Sequence, residues 1–460
     1  MGEDLAALHA RFGPRYPQWM LAVLMVGTIA MVFSATTIYV ALPAIMDDFA
    51  IGRPLAQWLS TGFLASMTSG LLLSAWAMGR FGARRTTQYA LGLFIVTTLL
   101  APLAASGWQL IALRIVQGVC AGIIQPLATV LIFRVFSAGG RGKALGLYAL
   151  GVTVAPSLGP SLGGYLVDQF GWLAVFWLPL PLCLIVLCGV RLLPDDRRTG
   201  AVRLDLASFA LLNAALFALL FALAEAQRFG WGVPRAYLAA LLGVLAGLWF
   251  VQRSRRSGQP LLSLDLWRHA AFRNASWVAA VIGLALYGMI YLIPLFLQTV
   301  HGYSAGQAGL LLLPAGLALG VASFVSGWLC DRMQIAWIMV VGLAVCLLSS
   351  LALGLLPGTA SFAMFCLWAT IGRAGLGLLL PALTSGSLSG LSADELASGA
   401  GAIIFVRQLG GAFGVNLLTY FLEWRSVAES DLAAFQQTFW LTAAVFLLAI
   451  VAAWGMRPAR

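Results

Sequence analysis

The feature that most restricts this chain is the spacing of its breaks. Apolar runs of about 20 residues, the length that spans a bilayer as a helix, follow one another from the first tryptophan, Trp19, to the last, Trp454, parted only by short polar or glycine-rich turns. Hydrophobic residues make up 61% of the sequence and charged ones 9%, where a soluble domain carries about 25% charged residues. Such a chain cannot cover itself with a water-facing surface, so lipid is the solvent for most of it. Hydrocarbon offers backbone groups no hydrogen bonds, which leaves helices or a closed barrel. Continuous apolar runs without period-two alternation select helices.

Cutting at the breaks predicts about fourteen spanning helices, with the second at 57-78 and the fifth at 144-167. With the N-terminus inside, the arginines near positions 80-85, 134-141, 191-203, 253-256, 268-273 and 332 all share its side. The other side keeps Arg53, Arg228, Arg235 and Arg425. This bias predicts a multi-pass protein of a bacterial cytoplasmic (inner) membrane with both termini in the cytoplasm. The net charge of +11 is scattered between apolar runs, so it reads as an orientation signal and argues against a nucleic-acid partner. Glu3, Asp4, Arg11 and Arg15 precede an apolar run too long for a secretory signal and without its cleavage site, so that run is expected to stay as the first span. Cys120, Cys183, Cys188, Cys330, Cys346 and Cys366 lie in or beside apolar segments without ligand spacing. They read as packing residues, and no metal is expected.

An internal repeat divides the chain. Ile38-Tyr39-Val40-Ala41-Leu42-Pro43 in the first span is answered by Ile290-Tyr291-Leu292-Ile293-Pro294 in the ninth, and Arg114 with Gly118 by Arg373 with Gly377. The tight basic turn at Gly79-Arg80-Phe81-Gly82-Ala83-Arg84-Arg85 is answered by Asp331 and Arg332. We therefore expect an all-α polytopic membrane protein of two six-helix halves, 1-200 and 258-460, with an inserted helix pair at 201-257. Carriers built of two halves hold their small-molecule substrate between them near the midplane.

In the fifth span, Ala155-Pro156-Ser157-Leu158-Gly159-Pro160-Ser161-Leu162-Gly163-Gly164 sets small residues four apart, a ridge that another helix backbone can approach. Its prolines favour bending. This segment resembles the antiporter motif of the major facilitator superfamily, in its fourteen-helix drug:proton antiporter branch. The stretches Tyr291 to Gln298, Gly302-Tyr303-Ser304 and Arg407-Gln408-Leu409-Gly410-Gly411 are similar to the same branch. The resemblance covers essentially the whole chain and implies multidrug efflux and drug resistance, driven by the proton motive force without a bound cofactor. It implies gating roles for Arg80, Gly82, Arg84, Arg85, Gly159, Pro160, Gly163, Gly164, Asp331 and Arg332. It also admits a periplasmic adaptor protein as partner.

Two positions depart from the branch. Gly79 stands where the basic turn usually has an acid, and Ser34 where the first span commonly has the aspartate linked to proton coupling. Every carboxylate falls in a loop or near a span end, Glu225 and Asp168 among them, and His9, His269 and His301 fall in loops. Serine exchanges no proton near neutral pH, so that coupling chemistry does not carry over. Arg114, Arg373 and Arg407 do fall inside spans, where an ionisable residue costs roughly 2.5 to 3.5 kcal/mol to insert and by default marks a functional site. The expected cavity residues are Ser34, Tyr39, Arg114, Gln117, Tyr287, Tyr291 and Arg407. Their summed charge leans positive, which favours anionic or neutral amphipathic cargo. Two functions stay open: proton-driven export, and an uncoupled or otherwise-coupled carrier of an organic anion or lipid-like metabolite. No cluster of acids, histidines and a nucleophile supports an enzyme.

Overall fold

The computed structural model describes residues 2–136, 138–194, 205–230, 232–256, 262–330, 332–388, 391 and 396–455. All the regular structure among them is helical. After a short helix at Gly2–Phe12, the chain forms α1 (Tyr16–Asp48), α2 (Trp58–Leu100), α3 (Gly107–Val135), α4 (Ala138–Phe170), α5 (Ala174–Leu192), α6 (Leu206–Phe229) and α7 (Pro234–Arg256). It continues through α8 (Ala270–His301), α9 (Ala305–Cys330), α10 (Ile335–Leu355), α11 (Phe362–Leu388), α12 (Leu396–Ser426) and α13 (Asp431–Trp454). A single π-helical turn, Leu284–Gly288, interrupts α8.

Twelve helical stretches among the described residues are long and apolar enough to cross a membrane, against the fourteen expected. The second and third expected spans are the two arms of α2, a 43-residue stretch whose helical geometry breaks at Gly82. Of these residues only Trp76–Leu103 counts among the twelve. The fifth expected span lies in α4, a helix of 33 residues, where several side chains fall outside those described.

The bend in α2 is made by Gly82, at φ 79° and ψ 163°, a conformation that glycine alone adopts without strain. Thr86 Oγ1 donates to Ala77 O across it at 3.0 Å. Arg84 fastens the bend to the end of α5, its Nε donating to Leu193 O at 2.9 Å and its Nη2 to Arg191 O at 3.2 Å. Arg80 and Arg85 are exposed. Arg332 sits 4.0 Å above the ring of Trp328 on its own helix, and Asp331 lies outside the described residues. The basic turns expected to gate the two halves thus contact, among the described residues, their own halves.

Large apolar side chains stay exposed along the outside, including Leu241, Leu245 and Leu248 on α7 and Leu317, Val321 and Phe324 on α9. Lipid is the solvent that makes this surface stable.

Arg53, just past α1, pairs with Glu423 of α12 at 3.7 Å and with Asp431 of α13 at 4.0 Å. The start of α1 and the end of α13 therefore share the opposite face, called here the terminal face. Toward the Arg53 face, apolar residues of both halves merge into one core, with Tyr39, Phe63 and Phe94 beside Tyr291, Phe296 and Phe439. Toward the terminal face the core divides. One cluster, with Tyr16, Met20, Leu131 and Tyr148, belongs to the first half, and another, with Phe272, Met339, Leu383 and Phe446, to the second. The inserted pair α6 and α7 is joined by Arg253 and Asp205 at 3.0 Å. It is held to the bundle by Ser69 with Asn213 and by Gln227 Nε2 donating to Asn416 O at 2.7 Å.

Candidate functional site

Arg114 is the hub of the first half. It is 2% exposed, and its guanidinium is satisfied within the protein. Nε donates to Leu59 O at 3.1 Å, Nη1 to Ser34 Oγ at 2.8 Å and to Gln117 Oε1 at 3.0 Å, and Nη2 to Ser34 O at 2.9 Å. Its cationic carbon lies 4.2 Å over the ring of Phe63, and Gln117 passes the chain on to Thr98 Oγ1 at 3.0 Å. Ser34, Arg114 and Gln117 are thus brought together. The cluster ties α1, α2 and α3 to one another, and Ser34 offers both a hydroxyl and a carbonyl where the branch commonly has an acid.

Tyr39 and Tyr291, paired by the repeat, meet across the two halves, ring centroids 6.0 Å apart and edge-to-face. Both are buried. The Tyr291 hydroxyl is held by Thr419, while the Tyr39 hydroxyl has no hydrogen-bond partner. Tyr287 lies against Gly411 of α12 and close enough to Arg407 to interact with its charge. Arg407 is half-buried, and its guanidinium makes no hydrogen bond among the described residues.

The glycine-proline segment of α4 lies on the seam between the halves. Gly159 and Gly163 face Thr36 and Thr37 of α1: a Cβ would stand 2.4 Å from Thr36 Oγ1 at Gly159 and 3.0 Å from Thr37 Cβ at Gly163. The next face, one residue on, meets α9 of the second half. A Cβ at Gly164 would come 2.2 Å from Ala305 O, and one at Gly309 the same distance from Pro160 O. The residues four apart form one ridge against α1, and Pro160 and Gly164 form a second beside it that meets α9. Ser161 Oγ donates to Gly309 O at 2.7 Å. Toward the Arg53 face, Asp168 Oδ2 accepts from Ser304 Oγ and from Gly306 N, each at 2.8 Å.

Sequence reasoning missed the amide bridges across the seam. Gln408 Nε2 donates to Gln125 Oε1 at 2.8 Å, and Asn416 Nδ2 to Thr61 Oγ1 at 2.7 Å. The signal available was that amides inside apolar spans need partners. It also placed Glu225 near a span end without its burial: the residue is 7% exposed within α6, and its Oε2 has no hydrogen-bond partner. Arg373 is 3% exposed and reaches one carbonyl, Leu286 O, at 3.4 Å.

Comparison with known proteins agrees with this architecture. A family model described as Major Facilitator Superfamily matches residues 24–415. The chain is 31% identical to the puromycin resistance protein pur8 of Streptomyces alboniger over 408 residues, 87% of this chain and 80% of that protein. It is 29% identical to the tetracenomycin C resistance and export protein of Streptomyces glaucescens over 402 residues, 86% of this chain and 74% of that one. Its fold is similar to that of a bacterial homolog of the human lysosomal transporter Spinster in an inward-facing, unoccupied conformation. The TM-score is 0.66 at 17% identity, covering 96% of this chain and 97% of that one. With that family model spanning most of its length, the chain belongs to the Major Facilitator Superfamily and is a membrane transporter, not an enzyme.

Proposed function

We propose that the protein exports small amphipathic compounds, drugs among them, from the cytoplasm by alternating access, as a member of the fourteen-helix drug:proton antiporter branch. The observation that carries this reading is the core that is common at the Arg53 face and divided at the terminal face. That is a carrier shut on one side with its halves parted on the other. Two relatives named for antibiotic resistance, one of them also for export, support the direction and the class of cargo. The arginine bias makes the terminal face cytoplasmic. In this reading α2 crosses twice about Gly82 and α4 once, and 1-200, 201-257 and 258-460 are the two halves and the inserted pair.

Cargo sits among Tyr39, Tyr287 and Tyr291, and Arg407 favours an anionic or neutral amphiphile over a cation. Arg114, whose donors Ser34 and Gln117 already engage, shapes this site without binding cargo directly. Glu225 is the carboxyl that carries the proton, because it is buried in a span and its Oε2 lacks a partner.

The test is transport of a fluorescent amphiphile by protein reconstituted in liposomes under an imposed pH gradient, with proton release followed alongside. Proton-driven export predicts that cargo addition releases protons and that Glu225→Gln uncouples accumulation while leaving exchange of labelled for unlabelled cargo. Cargo movement without proton movement in the wild type would select the facilitated carrier instead.

A further inference from the structure

The two halves treat the same arginine differently. Arg114 Nη2 donates to the carbonyl of Ser34, five residues before Tyr39, at 2.9 Å. Arg373 Nη2 donates to the carbonyl of Leu286, five residues before Tyr291, at 3.4 Å. These contacts are equivalent under the repeat. The side chains that complete the first are absent from the second: Ser34 is answered by Leu286, and Gln117, three residues past Arg114, by Leu376, three past Arg373. As a result Arg373 Nη1 is buried without a hydrogen-bond partner.

Arg373 borders a cavity of about 20 Å³, lined also by Ser349, Ser350, Cys346, Met289 and Phe446. Ser350 is 1% exposed, and its Oγ too has no partner. Ser349 Oγ already donates to Trp368 O at 2.7 Å, and Cys346 Sγ to Gly372 O at 3.5 Å. The free donors on this cavity are therefore a guanidinium N–H and a serine O–H. No carboxylate is among the lining residues.

We propose that this cavity is a buried halide site, in which chloride accepts from Arg373 Nη1 and Ser350 Oγ. The volume exceeds the roughly 10–15 Å³ that one water needs, and it is far below the roughly 300 Å³ at which drug-sized pockets begin. The occupant is thus a single small particle, and transported cargo is excluded. Water would satisfy the two donors but leave the guanidinium charge uncompensated in a low-dielectric interior, where an unpaired ion is costly. A monatomic anion meets both demands. The site is static architecture of the second half, doing with an ion what Ser34 and Gln117 do in the first.

The experiment follows the thermal midpoint of the full-length protein in lipid nanodiscs as sodium gluconate is exchanged for sodium chloride or bromide at constant ionic strength. A ligand of the folded state raises the midpoint with its concentration, so wild type should be stabilised saturably by both halides. Ser350→Ala should raise the half-saturating concentration about tenfold, as expected for one hydrogen bond to an ion. Leu376→Gln restores the first half's amide to Arg373 and should abolish the dependence in a folded protein, as should Arg373→Gln. Equal midpoints of wild type in gluconate and chloride would overturn the proposal in favour of water. An undiminished halide effect in Leu376→Gln would move the halide elsewhere on the protein.

Discussion

At the scale of single residues, the arginines separate by what surrounds them. Arg114 holds three helices through their own carbonyls and side chains, and lysine cannot reproduce that planar fork. Arg114→Lys should therefore lower the thermal midpoint by several degrees, since each lost hydrogen bond is worth about 1 kcal/mol. Transport of an anionic amphiphile and of its neutral ester should fall together. Arg407→Gln should leave the midpoint nearly unchanged but weaken the anionic compound about tenfold or more relative to its ester. A matching loss for both compounds would remove Arg407 from cargo selection. The sequence showed that three arginines enter the spans, because charge stands out against an apolar run. It did not show that Arg114 is already satisfied, because its partners include backbone carbonyls of Leu59 and Ser34, which leave no trace in residue identity.

At the scale of helices, the seam of α4 and α9 depends on the absence of side chains. Gly309→Val would drive a Cβ into Pro160 O, 2.2 Å away, and part the halves, so it should cut transport at least tenfold, as overpacking of a tight contact predicts. Gly92→Ala in α2 meets nothing within 4 Å and should transport as wild type does; similar losses in both would show that any added methyl harms these helices. The inserted pair offers a second test. The Arg253 guanidinium and the Ser208 side chain hold the Asp205 carboxyl well below the usual carboxylate range. A carboxyl depressed by folding contributes stability above its unfolded value, near 3.9, and loses it as pH falls toward the folded one. The stability advantage of wild type over Asp205→Asn should thus be full at pH 7 and shrink below about pH 4 in thermal melts. Spacing of four made the α4 ridge readable. That a second ridge lies beside it was not, since the sequence does not say which neighbour each face meets. The break in α2 was legible, because the glycines and basic residues between positions 79 and 85 mark a turn and the helix is interrupted there at Gly82.

At the scale of the molecule, the proposed direction of transport rests on the arginine bias and the divided core. A membrane-impermeant maleimide added outside intact cells should label Arg425→Cys and should not label Arg85→Cys, which is exposed near the bend in α2. Labelling of Arg85→Cys from outside would invert the orientation. The meeting of Tyr39 with Tyr291 was legible because the two recur with similar neighbours; the division of the core was not, because one sequence serves every conformation of a carrier. The seam between α4 and α9 also bears on leakage. Apart from the bonds of Ser161 and Asp168, its closest approaches are backbone against backbone. Such contact is held by dispersion, which fades within an ångström of separation. Parting the helices slightly loses much of the attraction and yet admits nothing, so a half-open seam has no well of its own. Under the proposed alternating access, the carrier should be either sealed at the Arg53 face or fully parted there, and ions should find no standing path through it between cargo cycles.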